Sequence, residues 1–88
     1  MHVHPMEVQF CLEFTAAEKT RLAPAFMFGD AEEQLSYAID QLGSERVATL
    51  IVEAKNTDIA LLALTEVDGF SPADRERLQQ VLITNQPA

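Results

Sequence analysis

Apolar and polar residues alternate strictly near the start of the chain. Every second residue from Met6 to Phe14 is large and apolar, and the positions between them hold Glu7, Gln9, Cys11 and Glu13. A period of two places the two sets of side chains on opposite faces of an extended strand. The pattern therefore predicts a half-buried β-strand over residues 6–14, with an acidic outer face that suits the edge of a sheet.

Two further apolar runs, residues 46–55 and 59–67, are separated by the polar residues Asn56, Thr57 and Asp58. The first run is rich in β-branched residues, and the polar break has the composition of a turn. The second run is rich in Ala and Leu, which also favour a helix, and a short apolar run cannot be assigned by periodicity alone. We favour a β-hairpin, because the turn chemistry is repeated where Asp68-Gly69 closes the second run.

Both faces of this predicted hairpin are apolar. Such strands need cover on both sides, and a chain of 88 residues is too short to supply a second covering layer. A second copy of the chain would supply it, so the pattern predicts a homodimer. The residues expected at that interface are Ile51, Val52, Leu61 and Leu62.

Three polar residues, Thr15, Asp30 and Ser71, stand where helices are expected to begin. Thr15 and Asp30 are each followed by a Glu three residues later, and Ser71 is followed directly by a proline. These are the residue types that accept hydrogen bonds from the free amides of a first helical turn. We predict a helix after each of them, with a disturbance near Pro24 and a helix end at Gly43.

The resulting order is β-α-α-β-β-α, which predicts an α+β fold. In this fold a three-stranded antiparallel sheet carries the helices on one face. Residues 1–88 are expected to form a single domain, because so short a chain cannot hold two ordinary cores. The ends, residues 1–5 and 85–88, are expected to be frayed.

The charge balance limits the possible partners. Fourteen acidic residues against six basic ones give a formal net charge of −8, and the basic residues are dispersed. The chain therefore lacks the cluster of basic residues that nucleic-acid binding requires, and an anionic membrane surface would repel it. The first residues do not have the pattern of a signal peptide, and no apolar run is long enough to cross a bilayer. A cytoplasmic protein is expected.

The residues that could carry catalysis are few. His2 and His4 are spaced to face one metal ion, but the sequence offers no third ligand of defined geometry. Cys11 has acidic neighbours and no nearby base, which disfavours a reactive thiolate. The three glycines are isolated and do not form a phosphate-binding loop. We expect no catalytic residue, no metal site and no cofactor.

A knot of large apolar residues, Phe26-Met27-Phe28, lies between two predicted helices. Residues of this type usually fill a core, and the alternative is a contact with a partner, for which Met is an adaptable side chain. Tyr37 lies at the margin of the apolar stripe of the next helix, and acidic residues stand near its start. The candidate partner-binding residues are Phe26, Met27, Phe28, Glu32, Glu33 and Tyr37.

Three functional hypotheses follow from these patterns. The first is a small, acidic, non-enzymatic interaction or regulatory module that acts as a homodimer. The second is an inhibitor or DNA mimic whose carboxylates occupy the basic groove of a nucleic-acid-handling protein. The third is a small-ligand-binding domain or minor enzyme with a pocket between sheet and helices. The expected partners are therefore a second copy of the chain and a basic protein.

Overall fold

A computed structural model describes residues 8–85, and every regular element in that range is a helix. No strand occurs in the described range, so the predicted three-stranded sheet, the β-α-α-β-β-α order and the α+β class are wrong. The helices are α1 (Val8–Cys11), α2 (Ala16–Phe28), α3 (Ala31–Leu42), α4 (Ser44–Ala54), α5 (Thr57–Glu66) and α6 (Pro72–Thr84). The expected fraying of residues 1–5 and 86–88 lies outside the described residues, and Asn85 caps α6.

The alternating segment near the start of the chain forms α1 and a turn instead of a strand. Val8 and Leu12 are buried, and the amide of Leu12 donates to the carbonyl oxygen of Val8 at 3.1 Å. Phe10, which the strand would have buried with them, is 77% exposed. Residues four apart share a face both in a helix and in a strand, so Val8 and Leu12 satisfy either pattern. The alternation was therefore misleading over so short a segment.

The predicted hairpin is a pair of helices, α4 and α5. In α4 the buried residues are Val47, Ala48, Leu50 and Ile51, whose spacing is that of one helix face. In α5 they are Ile59, Ala60 and Ala63, again at helical spacing. Burial of these two faces against the rest of the core outweighs the modest preference of Val, Ile and Thr for strands. The two runs that would be apolar on both faces as strands are helices packed within one core.

The polar break between the two runs caps a helix. The side-chain oxygen of Asn56 accepts a hydrogen bond from the amide of Ile59 at 2.9 Å, which makes Asn56 the N-cap of α5. Lys55 ends α4 with φ of 55°, in the left-handed region. Turn residues and helix caps are drawn from the same amino acids, because both use a short polar side chain to bond the backbone. The composition of this break could not separate the two structures.

The three predicted helix starts are confirmed. Thr15 and Asp30 each form a complete capping box, in which the side chain accepts from the amide three residues later and the Glu at that position accepts from the cap's own amide. Ser71 accepts from the amide of Asp74 at 3.2 Å, with proline at the first helical position. These bonds satisfy backbone donors that no carbonyl of the helix can reach.

Helix α2 continues through Pro24 as far as Phe28, four residues beyond the predicted disturbance. Proline has no amide hydrogen, so the carbonyl of Thr20 loses the donor that residue 24 would normally supply. The helix nevertheless resumes, and the amide of Gly29 donates to the carbonyl of Ala25 at 2.8 Å. The last turn of α2 is therefore joined to the rest of the helix by one bond fewer than usual.

Within residues 8–85 the six helices enclose one apolar core, and each of them contributes to it. The main contacts pair α2 with α3, α3 with α4, and α6 with both α4 and α5. The buried apolar side chains are Val8, Leu12, Phe14, Leu22, Leu35, Ala38, Val47, Ala48, Leu50, Ile51, Ile59, Ala60, Ala63, Val67, Phe70, Leu78 and Val81.

A single residue, Gly43, joins α3 to α4. It has φ of 93° and ψ of 152°, a conformation that side-chain-bearing residues rarely adopt. Its amide donates to the carbonyl of Ile39 at 2.8 Å, and its own carbonyl accepts from Val47 at 3.2 Å. Gly43 therefore ends one helix, as predicted, and begins the next without an intervening loop.

Candidate functional site

A cleft of about 320 Å³ lies between the end of α2 and the first half of α3. One wall is the last turn of α2, with Pro24 and Phe28, and the opposite wall is Tyr37 with Glu33. Ala25 and Gly29 complete the lining. Its volume lies within the range of sites that hold small molecules or side chains of a partner. The cleft is mainly apolar and has a carboxylate at its edge.

The three residues of the Phe26-Met27-Phe28 knot separate into different environments. Phe26 packs against the core, and its ring centroid lies 5.6 Å from that of Phe14 at a tilt of 53°. Phe28 is 84% exposed and Met27 is 72% exposed. Phe26 therefore anchors the last turn of α2, while Phe28 forms part of the cleft wall and the neighbouring Met27 is exposed.

The turn that forms the base of the cleft is held by Gln34. Its side-chain amide donates to the carbonyl oxygen of Gly29 at 2.8 Å, and Gln34 is itself buried. A Cβ atom at Gly29 would lie 3.0 Å from the carbonyl oxygen of Ala25 and 3.1 Å from Cβ of Glu33. Glycine is thus the residue that lets α3 begin so close to the end of α2.

The segment that builds the cleft carries negative charge only. Residues 22–45 contain five acidic residues and no Lys or Arg. Glu32 and Glu33 are both exposed in the first turn of α3, and Glu33 lines the cleft. Of the basic residues nearby in the chain, Arg21 donates to the carbonyl of Gln41 at 2.8 Å, toward the other end of α3. The apolar cleft therefore has an uncompensated acidic rim.

The four residues proposed for a dimer interface differ in their exposure to solvent. Ile51 is fully buried, so its side chain has no surface to offer. Val52 and Leu62 are partly buried against the core, and Leu61 is 52% exposed on α5. The reason given for a dimer, a strand pair apolar on both faces, does not apply to helices.

A polar cluster ties the start of α4 to the start of α6. Asp74 is 6% exposed, and its Oδ2 atom accepts from the hydroxyl groups of both Ser44 and Ser71. Its Oδ1 atom contacts Nη1 of Arg77 at 3.4 Å, and Nη2 of Arg77 donates to the hydroxyl of Thr49 at 2.9 Å. The hydrogen bond from Ser44 is the main reason that the pKa of Asp74 is lowered.

This cluster has a structural role, which is to connect α4 to α6. A serine becomes a nucleophile when a neighbouring base takes its proton, and here both hydroxyl groups donate to a carboxylate whose lowered pKa makes it a weak base. The hydroxyl oxygens also accept backbone amides, Ser44 from Ser71 and Ser71 from Asp74. The cluster supplies hydrogen-bond partners to the first turn of α6, and the Asp74 carboxylate and the two serine hydroxyl groups bond to one another.

The candidate residues for metal and thiol chemistry lie near the start of the chain. No group of three or more His, Cys, Asp or Glu side chains in that range could hold a metal ion. Cys11 is a free, partly buried thiol. The proposed pairing of His2 with His4 lies outside the described residues. Across the same range, the helices are all too short or too polar to cross a membrane.

Sequence reasoning identified Phe28, Glu33 and Tyr37 of the cleft lining and missed Pro24, Ala25 and Gly29. A proline inside a helix that is followed closely by a glycine is the signal that could have pointed to them. No known protein family, curated protein or solved structure matches this chain. Its function is therefore inferred from the residues of the cleft.

Proposed function

We propose that this chain is a small, acidic, non-enzymatic interaction module that binds a basic amphipathic segment of a partner protein at the cleft between α2 and α3. The observation that carries the proposal is the exposure of Phe28 and Met27, at 84% and 72%, beside an acidic rim. Adjacent large apolar side chains that are exposed together form the kind of surface patch that marks a contact with a partner. The single cysteine suits a reducing compartment, and a cytoplasmic location is part of the proposal.

The energetics favour a partner that is both apolar and basic. Burying the Phe28 and Met27 side chains would contribute roughly 3–6 kcal/mol in total, at about 1.5–3 kcal/mol for each. Association costs at least about 4 kcal/mol in lost freedom of motion, so apolar burial alone gives weak binding. Basic side chains that approach Glu32 and Glu33 would add attraction and orient the partner. A helix with apolar residues at positions i, i+3, i+4 and i+7 and lysines on its flanks meets both requirements.

The test uses a synthetic lysine/leucine peptide with its leucines at helical spacing and follows the backbone amide resonances of the labelled protein. We expect shifts centred on Phe28, Gly29, Glu33 and Tyr37 that saturate with peptide. Phe28→Asp should abolish saturable binding, because it puts a charge into the apolar contact. Leu61→Asp is the matched control, since it makes the same kind of change at an exposed apolar residue on α5, and it should leave binding intact.

Two results would contradict the proposal. One is a scrambled peptide of equal charge that binds as tightly, because attraction to the net charge would then account for the effect. The other is an equal loss of binding in Phe28→Asp and Leu61→Asp.

A second copy of the chain is the alternative occupant of the cleft. Sedimentation that gave a dimer for the unmodified protein and a monomer for Phe28→Asp would favour that alternative over a basic segment.

A further inference from the structure

A second pocket, separate from the cleft, lies between the end of α4 and the last two turns of α6. It has a volume of about 210 Å³. Val52 and Val81 form its apolar side, while Gln80 and Thr84 supply an amide and a hydroxyl group. Lys55 and Arg77 complete the site with two positive charges.

This concentration of positive charge is unusual for the molecule. The chain has six basic residues and fourteen acidic ones, yet two of the six line this pocket and no acidic residue does. Three of the other four are engaged elsewhere: Arg21 and Arg75 donate to backbone carbonyls, and Arg46 is paired with Glu18. Lys55 has no ion-pair partner among residues 8–85. Arg77 is itself paired with Asp74 at 3.4 Å, outside the lining, so Lys55 supplies the positive charge that gives this pocket its cationic character.

The guanidinium group of Arg77 is held in place before any ligand arrives. Its Nη2 atom donates to the hydroxyl of Thr49 at 2.9 Å, and its Nη1 atom contacts Asp74 at 3.4 Å. A guanidinium has five N–H donors, so further donors stay available to a ligand. The side chain is 38% exposed. A donor group fixed in this way loses little freedom when it binds, which favours recognition of a planar anion.

We propose that this pocket binds a small organic carboxylate with a short apolar chain. The carboxylate would accept hydrogen bonds from Arg77 and lie near the ammonium group of Lys55, since planar carboxylates match the fork of a guanidinium. The apolar chain would pack against Val52 and Val81. The volume of about 210 Å³ is sufficient for a short-chain acid. This inference is independent of the proposed function at the cleft.

The experiment titrates the labelled protein with sodium butyrate and follows the amide resonances, with 1-butanol as the uncharged probe of similar size. Butyrate is expected to shift the amides of Val52, Lys55, Gln80 and Thr84 and to saturate, whereas 1-butanol should bind far more weakly. Lys55→Asn should lower butyrate affinity by about tenfold, the usual effect of losing one charge-assisted contact of about 1.4 kcal/mol. Asn tolerates the left-handed conformation at this position, so the variant keeps the helix end.

The matched control is Lys19→Gln, which changes the net charge equally at an exposed residue of α2 and should leave affinity unchanged. The proposal is overturned if the shifts do not cluster around this pocket. It is also overturned if Lys55→Asn and Lys19→Gln behave alike, or if 1-butanol binds as well as butyrate. Saturable binding of sodium phosphate in place of butyrate would assign the pocket to inorganic anions and contradict the organic class.

Discussion

The guanidinium group of Arg46 on α4 binds both carboxylate oxygens of Glu18 on α2, at 2.8 Å through Nε and 3.0 Å through Nη2. One of these oxygens also accepts the amide of Thr15 at 2.9 Å, so a single carboxylate caps its own helix and links it to α4. The hydrogen bond from Arg46 is the largest contribution that lowers the pKa of Glu18, to about 2 from an ordinary value of 4.5, and burial opposes it. The carboxylate is therefore stabilised in its charged form by folding.

This arrangement predicts a stability that depends on acidity. Because the pKa of Glu18 is depressed in the folded protein, its contribution is complete above about pH 4.5 and is lost as the pH falls toward 2. Both side chains are partly in water, so solvent screening reduces the contribution to about 1–2 kcal/mol. The free energy of unfolding, measured by urea titration between pH 7 and pH 2.5, should fall through this window.

Glu18→Gln removes the negative charge but keeps the helix cap, because Gln can also complete a capping box. At pH 7 the variant should unfold about 1 kcal/mol more easily than the unmodified protein, and the difference should narrow as the pH approaches 2. A difference that stayed constant across the titration would mean that Glu18 acts only through its backbone hydrogen bond.

Removing the hydroxyl group of Ser71 should destabilise α6 more than an ordinary cap deletion. Ser71 accepts the amide of Asp74 and also donates to the carboxylate of Asp74 at 2.9 Å, so Ser71→Ala removes two bonds. A cap alone contributes about 1 kcal/mol, which corresponds to roughly 4–8 °C in the thermal midpoint of a small domain. We expect a larger decrease than in Thr15→Ala, whose hydroxyl accepts one amide. Equal decreases in the thermal midpoints of Ser71→Ala and Thr15→Ala would mean that the hydrogen bond from Ser71 to the Asp74 carboxylate does not add to stability.

Gly43→Ala should destabilise the protein through backbone strain. Nothing lies within 4 Å of a Cβ placed at Gly43, so the φ of 93° is the only obstacle to a side chain. Holding a residue other than glycine in such a region costs on the order of 1–3 kcal/mol. Gly69→Ala is the comparison, because Gly69 does not have a positive φ, and the three atoms nearest to a Cβ there all belong to the side chain of Ile39, from 3.1 Å. Urea unfolding should rank Gly43→Ala as the less stable variant.

Pro24→Ala should stabilise the protein. The substitution supplies an amide hydrogen for the carbonyl of Thr20 and removes a poor helix former from the interior of α2. The gain is reduced because the unfolded chain becomes more flexible, which leaves an expected increase of about 1–2 kcal/mol in the free energy of unfolding. A decrease would indicate that the proline ring, which forms part of the cleft wall, makes contacts that stabilise the fold.

Helices α2, α3 and α6 could be predicted together with their starting residues, whereas α1, α4 and α5 could not. Thr15, Asp30 and Ser71 act on amides three residues away, so their effect is local and can be recognised in the sequence. Residues 46–67 contain one such cap, Asn56, but its residue type also suits a turn, and the surrounding Val, Ile, Ala and Leu residues suit both strands and helices. Their conformation depends on helix packing that involves distant residues such as Leu22 and Leu78.

The same distinction applies to the candidate site. An apolar knot next to an acidic helix start was visible in the sequence, so Phe28 and Glu33 could be proposed in advance. The separation of Phe26 from Phe28 depends on Phe14, which lies twelve residues before Phe26. The pocket of Lys55 and Arg77 brings together residues from α4 and α6, and no spacing in the sequence indicates it.

The one-residue connection at Gly43 has a consequence for how fast the chain reaches its native state. Because α4 begins where α3 ends, the two helices need almost no search to meet, and the entropy lost in closing a loop between them is small. The other main helix contacts also join elements one or two places apart in the chain. Helical proteins dominated by such near contacts fold in about microseconds to milliseconds. Lengthening this connection with a flexible Gly-Ser insert should therefore slow refolding in a stopped-flow measurement.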